Sequence, residues 1–132
     1  MKRFLFAIGA VGVVCLPIAC NPFAPDQSVV LGVSKLDAPA TISPGSALTV
    51  VLTVTTGGCK TFDHIEVERA ASLASFTVWG RDGAKGAKNV TCPAYIVDTP
   101  HSYQLDPPFQ SPSTVQVDRG RLSPLTATVQ VQ

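Results

Sequence analysis

Beyond about its first twenty residues the chain shows no helical periodicity. Apolar and polar positions alternate with a period of two in one short run after another, the signature of strands with one buried face. In "SALTVVLTVTT", Leu48, Val50, Leu52 and Val54 share one face while Thr49, Thr53 and Thr55 line the other. The end of the chain repeats the pattern, with Leu125, Ala127, Val129 and Val131 opposite Thr126, Thr128 and Gln130. Similar runs at 28–34, 62–69, 74–80, 94–97, 101–105 and 113–118 predict further strands. Between the runs lie "SPGS", "TGGC", "DGAKG", "DTPH", "DPPFQSP" and "DRGR", rich in the residues that turns require.

Many short strands at regular spacing, with Gly and Pro in the gaps, predict a small antiparallel β-sandwich of immunoglobulin-like kind, with about 7–8 strands over residues 28–132. Within the hairpin made by 62–69 and 74–80, alternation sends Ile65, Val67, Phe76 and Val78 inward and His64, Glu66, Glu68, Thr77 and Trp79 outward. Pairing Ile65 with Val78 and Val67 with Phe76 sets His64 opposite Trp79 and Glu66 opposite Thr77.

The beginning of the chain follows another pattern. Lys2 and Arg3 precede an uncharged, mostly apolar run from Phe4 to Ile18 that ends in small residues, the three-part arrangement of an export signal. The run falls short of the ~20 apolar residues a membrane span needs. "LPIAC", ending at Cys20, resembles the lipobox of bacterial lipoproteins, in which a small residue precedes the cysteine that is acylated and becomes residue one. Ala19 is small, whereas Cys15 follows the bulkier Val14; Pro17 stands where leucine is usual, with Leu16 beside it. The resemblance implies a signal peptide at 1–19, lipidation of Cys20, a lipid-anchored spacer at 20–27 and a place in a bacterial cell envelope. Asn21 after the cysteine resembles the sorting pattern that directs such proteins to the outer membrane. More than one acyl chain is attached in this family, and two membrane signals suffice for stable anchoring.

Removing the signal changes the charge balance. The chain has ten Lys and Arg against nine Asp and Glu, and loss of Lys2 and Arg3 leaves it near neutral. Nucleic-acid binding, which rests on neutralising many phosphates, is therefore not expected. Cys59 and Cys92 are the cysteines that remain in the domain, and an oxidising compartment makes a disulfide between them the expectation. Free thiols or metal ligands are the alternatives, but no second His/Cys pair stands near them at zinc spacing.

If consecutive strands run antiparallel, "TGGCK" at 56–60, "RDGAKGAKN" at 81–89 and "DPPFQSP" at 106–112 share one end of the sandwich. The same counting puts the start of the domain at the other end, with the bridged end pointing away from the membrane. Lys60, Arg81, Lys85, Lys88 and Phe109 on these distal loops then form the first candidate binding surface, for an envelope protein. His64, Glu66, Thr77 and Trp79 form a second, on which the indole stacks against a sugar while Glu66 bonds its hydroxyls; a purely structural lipoprotein without a discrete ligand is the further alternative. No catalytic residues, cofactor or metal are expected. Glu66 and Glu68 lie side by side, not across a cleft, and no Gly-x-Ser-x-Gly elbow occurs. His64 and His101 lack a motif that makes them part of a triad. The Asn89 sequon has no role in a bacterium.

Overall fold

The computed structural model describes residues 27–132; the signal peptide, Cys20 and the spacer before Gln27 lie outside the described residues. Among the described residues there is no helix, and nine strands follow one another: β1 Ser28–Val30, β2 Gly32–Asp37, β3 Thr41–Ile42, β4 Leu48–Gly57, β5 Lys60–Arg69, β6 Leu73–Asp82, β7 Ile96–Leu105, β8 Ser113–Arg119 and β9 Leu122–Val131. They form one mixed, curled sheet in the order β2, β4, β5, β6, β8, β9, β3, with β1 attached to β6 and β7 to β4. β4 and β5 pair only at the mouth of their turn, Gly57 opposite Lys60. The sheet folds over there, and inward side chains from both of its parts meet in one core.

Alternation supplies that core as the sequence pattern predicts. Leu48, Val50, Leu52 and Val54 on β4 are buried, as are Phe76 and Val78 on β6, Val115 and Val117 on β8, and Val129 on β9. Each such side chain contributes on the order of 1.5–3 kcal/mol by leaving water. Phe76 sets its ring edge-on to Tyr103 of β7, with centroids 5.5 Å apart. The inward series on β6 ends at Gly80, and a Cβ there would come within 2.6 Å of the Leu31 side chain. The missing side chain lets Leu31 cross the core edge, donating its N–H to the Val78 carbonyl at 2.9 Å. Through Leu31 the chain passes from β6, which β1 pairs, to β4, which β2 pairs.

Several expectations are corrected. The sheet is mixed, not purely antiparallel, because β8 runs parallel to β6 and β3 parallel to β9. The runs at 94–97 and 101–105 are one strand, β7, which passes straight through "DTPH". Pro100 is tolerated because β7 pairs with β4 alone and lies at a sheet edge, where a missing N–H need cost no ladder bond. One strand in place of two reverses the parity of the strand count. The 106–112 loop therefore lies at the end opposite the Gly57–Lys60 turn, and Phe109 is separated from Lys60, Arg81, Lys85 and Lys88.

The domain's start is corrected too. Ser28 pairs with Arg81, and the Asp82 N–H donates to the Gln27 carbonyl at 2.9 Å. β1 and β2 make a single traverse away from this point, so the chain enters the domain at the bridged end and not opposite it.

Candidate functional site

The disulfide forms as expected, joining Cys59, in the two-residue turn between β4 and β5, to Cys92, in the 83–95 loop, with Cα atoms 5.1 Å apart. Gly58 permits that tight turn by adopting φ 63°. The bridge ties the β4–β5 turn to the 83–95 loop, and the Gly83 N–H adds a 2.9 Å bond to the Cys59 carbonyl. Asp82 steadies the loop's first turn by accepting the Ala84 N–H at 2.9 Å. Lys85 reaches back across it to donate to the Ser28 carbonyl at 3.2 Å. Lys60, Arg81, Lys85 and Lys88 are thus brought together at the bridged end, with Lys88 on the exposed part of the loop.

Phe109 joins a different cluster. Arg69, at the end of β5, donates through its guanidinium to the carbonyls of Asp106 and Pro108, at 2.6 and 3.0 Å. The same group sits 4.9 Å from the centre of the Phe109 ring. One arginine thereby clamps the 106–112 loop to the 70–72 turn, a role that sequence spacing does not reveal.

The β5–β6 face has the predicted register, His64 opposite Trp79 and Glu66 opposite Thr77. Trp79 is half-buried, and its indole N–H donates to Glu66 Oε2 at 2.8 Å. A bulge between Phe62 and His64 adds Asp63 to the outer surface. The Asp63 carboxylate meets His64 Nδ1 at 3.1 Å and Arg81 Nε at 3.5 Å. The hydrogen bond with His64, aided by the Arg81 charge, holds the Asp63 carboxyl below its ordinary value. His64 is thus engaged by its neighbour in sequence, not by Glu66. Among the described residues no three His, Cys, Asp or Glu side chains converge to hold a metal ion. His101, expected in a turn, lies within β7 and stacks on Phe62 with ring centroids 4.0 Å apart.

Sequence reasoning missed the apolar surface at the bridged end. Val90, Tyr95, Ile96 and Val97 are all exposed, and Ile96 is 77% accessible. Beside them an open hollow of about 560 Å³ lies between the β1–β2 junction, the disulfide and residues 93–96. The sequence "AYIVD" gives no distinguishing signal, since the apolar runs at 29–31 and 50–52 are as long and are buried or partly buried. No protein-family model matches the chain, and neither a curated protein nor a solved structure is detectably similar to it.

Proposed function

We propose that the protein is a lipid-anchored, non-enzymatic binding or assembly module of the bacterial cell envelope. In this reading it is an immunoglobulin-like β-sandwich held through an acylated Cys20, with Asn21 favouring the outer membrane. The observation that carries the reading is the attachment of Gln27 to Asp82 at the bridged end. Residues 21–26 reach at most ~3.6 Å each, roughly 20 Å in all, so this end stands toward the bilayer. The cationic loops then face the membrane, and the surface presented outward is the Arg69–Phe109 end. A protein partner in the envelope meets the domain there, on a loop stiffened by Pro107 and Pro108 and clamped by Arg69.

A second reading has its own support. Trp79 is fixed by Glu66 on an open sheet face, a pairing suited to stacking on a sugar ring while the carboxylate's remaining oxygen takes a hydroxyl. Photo-crosslinking residues at Gln110, Ala84 and Thr77 in living cells separate these cases. A discrete protein captured from Gln110 supports the first reading. Polysaccharide adducts confined to Thr77 support the second. A protein captured from Ala84 alone contradicts the membrane-facing placement of the loops.

A further inference from the structure

All five large hydrophobic side chains exposed among the described residues lie toward one end of the molecule. Val90, Tyr95, Ile96 and Val97 surround the disulfide, and Leu122, 60% accessible, follows the β8–β9 turn. That turn points the same way because β8 runs parallel to β6, whose last residues pair with β1 where the chain enters. Scattered exposed hydrophobics need no explanation, but segregation to one end does. Ile96 has no core position open to it, because it stands on the outer side of β7 with Asp98, opposite the inward series His101, Tyr103 and Leu105.

Charge follows the same division. Lys60, Arg81, Lys85, Lys88, Arg119 and Arg121 lie at or toward this end, while Lys35 and Arg69 lie elsewhere. The four acids among them keep their charge, so six cations stand against four carboxylates and the end carries a modest positive excess. Asp63 pairs with Arg81 and His64, Asp82 accepts the Ala84 N–H, Asp98 accepts the Thr55 hydroxyl at 2.6 Å, and Asp118 accepts the Gly120 N–H. Cationic side chains around an exposed apolar tip are the composition that settles into the interface of a membrane with anionic headgroups.

We propose that the bridged end is itself a membrane-contacting surface, with Tyr95, Ile96 and Val90 entering the headgroup region and Lys60, Lys85 and Lys88 meeting anionic lipid. This inference rests on the anchoring proposed above and goes beyond it: the domain lies against the bilayer instead of swinging on its tether. The occupant is a lipid surface because the chain leaves the domain from this end toward Cys20, and because the end's charge complements anionic headgroups.

Trp79 is the chain's one tryptophan, which permits a single-site probe. The full chain, matured and purified from membranes, is prepared as Trp79→Phe/Ile96→Trp and, for the far end, as Trp79→Phe/Phe109→Trp. Each is reconstituted in phosphatidylethanolamine/phosphatidylglycerol vesicles with or without brominated lipid. Residue 96 is expected to emit further to the blue and to be quenched by brominated lipid, more weakly when phosphatidylglycerol is omitted; residue 109 is expected to do neither. A vesicle-bound, acylated protein whose residue 96 stays water-exposed overturns the inference and leaves the anchor intact. Blue, concentration-dependent emission from residue 96 without lipid overturns it in favour of a second copy of the chain. Protein that is not acylated yet is quenched at residue 96 supports the surface and removes the anchor. Protein neither acylated nor bound removes both.

Discussion

The Gln27 carbonyl accepts a 2.9 Å hydrogen bond from the Asp82 N–H, which fixes the first described residue against the last residue of β6. That bond sets the end at which the chain enters the domain. The disulfide, the cationic loops and the exposed apolar residues stand on the side from which the chain arrives, and the Arg69–Phe109 cluster stands opposite.

The Arg69 clamp is expected to govern the end opposite the disulfide. Arg69→Ala removes two hydrogen bonds and the contact with Phe109, for a loss of about 1–2 kcal/mol. The accompanying sign is faster amide exchange confined to residues 106–112 and the neighbouring turn. Arg69→Lys does not restore protection, because an ammonium lacks the planar fork that meets two carbonyls at once. Unchanged exchange in Arg69→Ala would show that the loop is held by other contacts.

The disulfide is expected to dominate stability among single covalent features. Cys59 and Cys92 are 33 residues apart. Replacing both with alanine restores denatured-state freedom worth roughly 3–4 kcal/mol on the chain-entropy account. Urea unfolding of the double variant should show a correspondingly lower midpoint. A midpoint equal to that of the parent contradicts the bridge's role.

Gly80 is expected to tolerate no side chain. An added Cβ meets the Thr61 carbonyl oxygen and approaches Leu31 to 2.6 Å. Gly80→Ala must push Leu31 out of the core edge, at a cost of about 1–3 kcal/mol. Thermal unfolding measures the loss, and Gly120→Ala is the comparison, since its added Cβ meets no neighbour although its φ of 64° brings strain. Equal stability of Gly80→Ala and the parent protein would mean that Leu31 is not wedged there.

Asp63 sets the one pH dependence these contacts support. Its folded value lies below the ordinary 3.8, so its contribution is present in full above that value and is lost as the pH falls through the lower folded one. Carboxyl titration followed by NMR should place the Asp63 midpoint below 3.8. His64→Ala raises that midpoint, Arg81→Ala raises it as well, and added salt weakens the Arg81 part. A midpoint indifferent to both substitutions contradicts the assignment.

The fold was legible where burial is one-sided. β4 alternates cleanly, and the β5–β6 register followed from matching Ile65 and Val67 to Val78 and Phe76, because a slip of one residue would turn the whole hydrophobic set outward. What escaped was set by tertiary position. Pro100 reads as a turn until β7 is known to be an edge strand, and that one misreading moved Phe109 to the wrong end. The switch of pairing at Leu31 depends on the absence of a side chain at Gly80, forty-nine residues later. The placement of Tyr95, Ile96 and Val97 beside the disulfide depends on tertiary pairing, which the local pattern does not encode. The facing of His64 with Trp79 and of Glu66 with Thr77 followed from register, whereas the diagonal bond from Trp79 to Glu66 and the bulge that brings Asp63 to His64 and Arg81 did not.

The central claim is that a lipid on Cys20 holds this domain at the membrane by the end it enters from. Its most direct test is the intact mass, with N-terminal fragmentation, of protein extracted from membranes. The account predicts a chain that begins at Cys20 and carries acyl groups on that residue; an unmodified chain, or one that begins elsewhere, would contradict it.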